Sequence, residues 1–175
     1  MRVRLQREVD VAAPAAELWA YVTDWPRQGE WVPLTRVERV DGEPGVGERF
    51  RAWTGIGRPS TGSRGSRGVS VRGVGFLDPM TVTTWDRGPD GGGRCEVLHR
   101  GAVVKGEGEF VVLARGADAS RFVWAEVAVV PFGSLGAVGW RLVRPLVERV
   151  IDGGLRTMRD RVEAQQRAAA PPLGN

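Results

Sequence analysis

Two side chains of this sequence could together perform acid–base chemistry. His99 is the only histidine of the chain, and Glu126 lies in the apolar segment Phe-Val-Trp-Ala-Glu. Alternate residues of a strand share a face, so Glu126 lies on the same face as Phe122 and Trp124. If that aromatic face points inward, a carboxyl group lies in an apolar pocket, where with an imidazole it could act as acid and base.

Other interpretations of this pair stay open at the sequence level. The opposite face of the same segment is also apolar, with Val123, Ala125, Val127 and Val129. The sequence therefore leaves open which face is the inner one. If the aromatic face points outward, Glu126 is exposed or pairs with an arginine, and His99 is a strand histidine with satisfied hydrogen bonds.

Cys95 is a less favoured catalytic candidate. It alternates with Val97 and His99 on one face of a candidate strand. As the one cysteine of the chain, it cannot form an internal disulfide, which is typical of a reducing compartment. With no apolar signal-peptide segment at the N-terminus and no apolar run long enough to span a membrane, we expect a cytoplasmic protein.

Several common chemistries are excluded by the residues that the chain lacks. One histidine and one cysteine cannot form a His/Cys metal cluster. The one lysine, Lys105, is followed by glycine, so there is no phosphate-binding Gly-Lys-Ser/Thr motif. Gly106-Glu-Gly108 does not continue into a dinucleotide-binding motif. We expect neither a metal nor a cofactor.

The aromatic composition points to a cavity. Seven tryptophans accompany a single tyrosine, and ligand pockets are lined by aromatic side chains with few polar groups. Plain core packing is the alternative explanation. If there is a cavity, the predicted ligand-contacting residues are Trp25, Trp31, Phe50, Trp53, Phe76, Met80, Trp85, Val97, Phe122, Trp124, Trp140 and Val143.

Hydrophobic periodicity predicts the elements that hold these residues. Residues 2–11 alternate as a half-buried strand in which Arg7 is the one exception. A helix is expected over 15–22 after Pro14, and a short turn or helix over 27–31. Further strands are predicted at 34–40, 47–54, 74–86, 94–100, 103–114 and 120–130. Tight turns between them indicate an antiparallel meander.

Residues 55–73 differ from their surroundings. They contain six glycines, four arginines and four serines without apolar periodicity, so they predict a long flexible loop.

The last element is a long helix with a candidate N-cap at Ser134. Pro145 is expected to kink or split it, and residues 169–175 are expected to be a disordered tail after one domain over 1–168. The apolar stripe of this helix comprises Leu135, Val138, Leu142, Leu146, Val150, Leu155, Met158 and Val162.

The order of these elements, with several local motifs, resembles the START-like (SRPBCC) superfamily over about residues 3–165. Within it, the sequence is most similar to the polyketide cyclase/dehydrase and lipid-transport branch. The motifs that carry the resemblance are Pro14-Ala-Ala-Glu-Leu-Trp-Ala-Tyr-Val-Thr-Asp24, Trp25 with Trp31-x-Pro33, Gly45-Val-Gly47, Asp78-Pro79-Met80 to Trp85-Asp86, and Phe122-x-Trp124-x-Glu126.

The resemblance implies an α+β helix-grip fold. In that fold a seven-stranded curved antiparallel sheet wraps around a long C-terminal helix, with two short helices after the first strand. Family members bind lipids, polyketides or similar hydrophobic molecules between sheet and helix, and some cyclise or dehydrate a polyketide. We therefore expect a hydrophobic small-molecule ligand. The alternative is an aromatase/cyclase or dehydratase that uses His99 and Glu126.

Macromolecular partners are less favoured. The net charge is +4, but arginines alternate with acidic residues along most of the chain, so we expect no nucleic acid partner. No apolar run is long enough for stable membrane insertion. Trp140 and Arg141 give residues 135–151 an interfacial composition, which leaves peripheral membrane contact as a further alternative. The oligomeric state is left open.

Overall fold

A computed structural model describes residues 2–59, 71–101, 104–129 and 133–169. Its elements follow the predicted order. They are β1 (Arg2–Val11), α1 (Ala15–Val22), a 3₁₀ helix (Trp25–Glu30), β2 (Thr35–Asp41), β3 (Arg49–Pro59), β4 (Val71–Arg87), β5 (Gly93–Arg100), β6 (Lys105–Ala114), β7 (Ser120–Val129) and α2 (Gly133–Ala169).

The strands form one antiparallel seven-stranded sheet in the order β1-β7-β6-β5-β4-β3-β2. From β2 onward each strand pairs with the next in sequence, and β1 completes the order by pairing with β7. The sheet is open and curved, with the long helix α2 after it. The α+β helix-grip prediction is therefore confirmed.

The exception in the alternation of β1 has a structural reason. Arg7 lies on the strand face that also carries Leu5 and Val9, and its guanidinium pairs with Glu148 at 2.8 Å and Asp152 at 3.2 Å on α2. Half-buried in this position, the arginine ties the first strand to the last helix.

An aromatic core fills the end of the molecule near α1. Trp25 stacks on Phe50 with 4.2 Å between ring centroids, and Phe110 meets Phe122 edge-on at 5.4 Å. Offset-stacked and edge-on pairs add to the free energy gained from burial. The C-terminal half of α2 joins this core through Leu155, Met158 and Val162, which are at most 2% exposed.

The predicted apolar stripe is wrong for the first half of α2. Val138, Leu142, Leu146 and Val150 are exposed, while Trp140, Val147 and Ile151 face the sheet. At 3.6 residues per turn, Trp140, Val147 and Ile151 lie within about 40° of one another around the axis, whereas Val138 and Leu142 lie on roughly the opposite side of the helix.

Pro145 does not split α2, which is continuous from Gly133 to Ala169. The helix therefore includes residue 169, the first residue of the predicted disordered tail. Ser134 lies inside the first turn rather than at the cap. Residues 170–175 fall outside the described ranges. Among the described residues, no helix has the length and apolar character needed to cross a membrane.

The predicted loop over 55–73 is too long. Residues 55–59 belong to β3 and 71–73 belong to β4, while 60–70 lie outside the described residues. In the register of this hairpin Gly55 faces Gly75 and Gly57 faces Gly73. A Cβ on Gly55 would lie 2.3 Å from the carbonyl oxygen of Val74, so the close approach of the two strands requires glycine. Because glycine adds nothing to an apolar alternation, the ends of β3 and β4 were predicted as loop.

Candidate functional site

A cavity of about 350 Å³ lies between the inner face of the sheet and the first half of α2. All seven strands contribute to its walls, the loop around Val32 closes one side, and three residues of α2 cover it. The charged groups of its lining form one cluster made of Asp78, His99 and Glu126. We call this cluster the charged triad.

His99 stands between the two carboxyl groups. Its Nδ1 lies 2.6 Å from Oδ2 of Asp78 on one side. On the other side its Nε2 lies 3.0 Å from Oε2 of Glu126, within ion-pair distance but off the line of a good hydrogen bond. The histidine side chain is 9% exposed, so both contacts are sheltered from water.

A glycine makes the contact between His99 and Glu126 possible. The two residues lie on β5 and β7, and β6 runs between them, with Gly108 paired to both Val97 and Glu126. A Cβ on Gly108 would come within 2.9 Å of Val97, 3.0 Å of Glu126 Oε1 and 3.1 Å of His99 Nε2. A side chain at this position would require the side chains of Val97, Glu126 and His99 to shift.

The two carboxyl groups differ in their remaining partners. Oε1 of Glu126 accepts a hydrogen bond from Nε1 of Trp124 at 2.7 Å, and the Glu126 side chain is 23% exposed. Asp78 is 7% exposed, and its Oδ1 has no hydrogen-bond partner among the described residues. Glu126 is therefore the member of the charged triad that a molecule in the cavity reaches most easily.

The surroundings of His99 favour its charged form. Burial disfavours the imidazolium, but the attraction of Asp78 and Glu126 outweighs burial and raises the pKa of His99 to about 10. At neutral pH the imidazole therefore carries a proton on both nitrogens. In this form it is a fixed cation and not a proton acceptor.

This arrangement predicts a pH-dependent stability. A histidine with a raised folded-state pKa contributes stability fully below its unfolded value, near 6.5, and loses it as the pH rises through about 10. Between these values we expect the free energy of unfolding to fall by about 1.4 kcal/mol per pH unit from this group. Because His99 is the only histidine, its NMR ring signals give the pKa without assignment. A folded-state pKa near 6.5 would contradict the contacts described.

Cys95 is unsuited to the nucleophilic role. Burial raises the pKa of its thiol to about 12, and the charges of Glu48 and Glu96 add to the effect. The side chain is 1% exposed, packs in the core and is not part of the cavity lining. The thiolate is the reactive form of cysteine, and here it is not formed near neutral pH.

The structure brings only part of the predicted site together. The predicted residues that line the cavity are Phe50, Phe76, Met80, Val97, His99, Trp124, Glu126 and Trp140. They include both members of the predicted acid–base pair. The aromatic face of β7 is thus the inner one, a choice that the sequence leaves open.

The other predicted ligand contacts do not line the cavity. Trp25 and Phe122 are fully buried in the aromatic core, Trp31 packs edge-on against Phe122 and Trp124, and Trp85 packs edge-on against Trp19 of α1. Trp53 lies on the opposite sheet face from Phe50 and Ala52, where its ring approaches Gly75. Val143 is 47% exposed and is not part of the cavity lining.

The most important omission was Asp78. It alternates with Phe76 and Met80, two predicted lining residues on the same strand, so strand periodicity could have identified it. The remaining lining residues that sequence reasoning missed are Val3, Leu5, Gln28, Val32, Thr35, Ala52, Thr54, Val104, Phe110, Val147 and Ile151. In the part of the chain that the structure describes, no group of three or more His, Cys, Asp and Glu side chains is placed to hold a metal ion.

Solved structures share this architecture at low sequence identity. Zhui aromatase/cyclase from Streptomyces sp. R1128 aligns with a TM-score of 0.66 and 19% identity, covering 97% of this chain and 99% of that chain. A protein from Thermus thermophilus aligns with a TM-score of 0.66 and 20% identity over 96% and 100% of the two chains. These similarities support the fold.

A START superfamily protein from Mycobacterium smegmatis is a third structural relative. It aligns with a TM-score of 0.62 and 17% identity over 93% of this chain and 98% of that chain. The comparison with curated proteins found no match. The family model described as polyketide cyclase/dehydrase and lipid transport matches residues 2–163. The chain therefore belongs to the polyketide cyclase/dehydrase and lipid-transport family.

Proposed function

We propose that the protein binds a hydrophobic small molecule in the cavity between the sheet and α2. The observation that carries the proposal is the composition of the lining, where aromatic and aliphatic side chains surround a single charged cluster. An apolar wall with a few convergent polar groups is typical of small-molecule sites. Burial of apolar ligand surface contributes about 25 cal/mol per Å², so affinity requires no charged contact.

The position of the cavity also supports this proposal. The aromatic core near α1 already holds Trp25, Phe110 and Phe122 at 4% exposure or less, and the C-terminal half of α2 packs on it. Beneath the first half of the same helix, Trp140, Val147 and Ile151 instead face open space. Protein interiors are otherwise closely packed, so an apolar space of this size is a suitable place for a ligand.

A pair of variants on one helix tests the proposal. Val147 lines the cavity, whereas Leu142 lies near the opposite side of the helix and is 79% exposed. Val147→Trp should fill part of the cavity and lower the affinity for a neutral fluorescent probe, N-phenylnaphthylamine. Loss of about 60 Å² of apolar contact corresponds to about 1.5 kcal/mol, or roughly tenfold in affinity. Leu142→Trp, the matched control, should bind the probe as wild type does.

Fluorescence titration of the three full-length proteins measures these affinities, and circular dichroism checks that each is folded. Equal affinities for all three proteins would place the probe elsewhere on the surface. Absence of probe binding to wild type would remove the basis for a ligand cavity.

A further inference from the structure

We propose that the cavity selects hydrophobic molecules that carry a hydroxyl group and rejects hydrophobic carboxylates, with the ligand hydroxyl donating a hydrogen bond to Glu126. This inference rests on the proposed ligand-binding function and specifies the class of ligand. It is carried by the arrangement of charges and hydrogen-bonding atoms in the charged triad.

The charge of the lining is the first argument. Two carboxyl groups, on Asp78 and Glu126, face a single imidazole, and none of the described lining residues is arginine or lysine. The other polar side chains of the lining are the neutral Gln28, Thr35 and Thr54. Even with His99 protonated, the negative charges exceed the positive charge by one.

The hydrogen-bonding capacity of the charged triad is the second argument. A carboxylate accepts at about four lone-pair sites, and Glu126 directs two of them toward Trp124 and His99. Its side chain is exposed enough to be reached from the cavity. Each nitrogen of His99 faces a carboxyl oxygen, at 2.6 Å for Asp78 and 3.0 Å for Glu126, so most of the hydrogen-bonding sites that the triad offers an incoming ligand are acceptors.

Asp78 strengthens the preference for a ligand hydroxyl group over a ligand carboxylate. Its side chain is more than nine-tenths buried, it lines the cavity, and its Oδ1 has no hydrogen-bond partner among the described residues. Among the described residues, His99 is therefore the one cation that offsets the negative charge of this carboxyl group.

A ligand carboxylate would meet these groups unfavourably. It would lose hydration on entering the cavity, find no cationic side chain other than His99 among the described lining, and lie near two carboxyl groups that already share that cation. Burial of an unpaired charge is costly. A neutral hydroxyl instead replaces its bond to water with a charge-assisted hydrogen bond, the stronger class of such bonds.

Three ligands with the same ring skeleton separate the effect of the hydroxyl hydrogen bond from the effect of the carboxylate charge. Isothermal titration calorimetry of the full-length protein at neutral pH would compare naphthol, methoxynaphthalene and naphthoate, all substituted at the same ring position. We expect naphthol to bind about tenfold or more tightly than methoxynaphthalene, since a hydrogen bond to a charged group is stronger than one between neutral groups. Naphthoate should bind more weakly than methoxynaphthalene.

Glu126→Gln then identifies the acceptor. The amide oxygen can still accept from Trp124, but the negative charge is gone, so the preference for naphthol should shrink severalfold and naphthoate should gain affinity relative to methoxynaphthalene. Glu96→Gln is the matched control. Glu96 lies on β5 between the inward-facing Cys95 and Val97 and so faces the other side of the sheet, and all three affinities should be unchanged.

The outcomes distinguish this inference from the function on which it rests. Equal affinities of wild type for the three compounds, or a preference for naphthoate, would overturn the hydroxyl selectivity and leave a ligand cavity in place. Absence of binding by all three would overturn both. Should Glu126→Gln fail to fold, the wild-type comparison of the three compounds decides the inference by itself.

Discussion

Replacing Asp78 with alanine is expected to destabilise the protein by about 3–5 kcal/mol, the usual cost of removing one partner from a buried ion pair. The substitution leaves Nδ1 of His99 without the partner that now lies 2.6 Å away. The buried imidazolium then keeps a single carboxyl contact, to Glu126. Urea unfolding at neutral pH measures the loss as a lower midpoint at unchanged slope.

Asp86→Ala is the matched control for that experiment. Asp86 lies on the same strand, β4, but its side chain is exposed, and exposed substitutions usually change stability by about 0.5 kcal/mol or less. Similar losses for the two variants would show that the charged triad is not a buried network.

Truncation of Trp25 to alanine should cost about 3–5 kcal/mol, because a fully buried aromatic side chain is replaced by a cavity. Trp25 is 0% exposed, and its ring is nearly parallel to that of Phe50, at an interplanar angle of 8°. Thermal and denaturant unfolding would both report this loss.

Trp140→Ala provides the comparison for Trp25. Trp140 is half-buried and one side of it faces the ligand cavity, so fewer packing contacts are lost and the destabilisation should be smaller. A loss for Trp140→Ala as large as that for Trp25→Ala would indicate that the space beneath α2 is packed rather than open.

Local patterns in the sequence predicted most of the sheet. Strand alternation identified β1 and the inward series Cys95, Val97 and His99 because one face of each strand is buried and the other is exposed. The helix α1 was predicted within its observed bounds. These features depend on neighbouring residues, which a single sequence displays directly.

Features that depend on distant residues were harder to predict. Whether Phe122 and Glu126 face inward is decided by what covers the sheet, and both faces of β7 are apolar. The pairing of Gly55 with Gly75 is visible only across a hairpin. Asp78 and Glu126 meet at His99 from strands β4 and β7, a contact that requires the strand order.

The sequence also did not show which tryptophans line the cavity. Their number indicated aromatic surfaces around a cavity, yet Trp25 and Trp31 belong to the packed core and Trp53 lies on the other face of the sheet. Residue type predicts burial, whereas the difference between a packed core and a cavity wall depends on the helix that lies opposite.

The most direct test of ligand binding between sheet and helix is the measurement of intermolecular NMR contacts between naphthol and the full-length protein. We expect nuclear Overhauser effects from the ligand ring to the His99 ring and to the methyl groups of Val97 and Val147, which line the cavity. Contacts confined to Leu142 and Leu146, on the exposed side of α2, would contradict the proposed site.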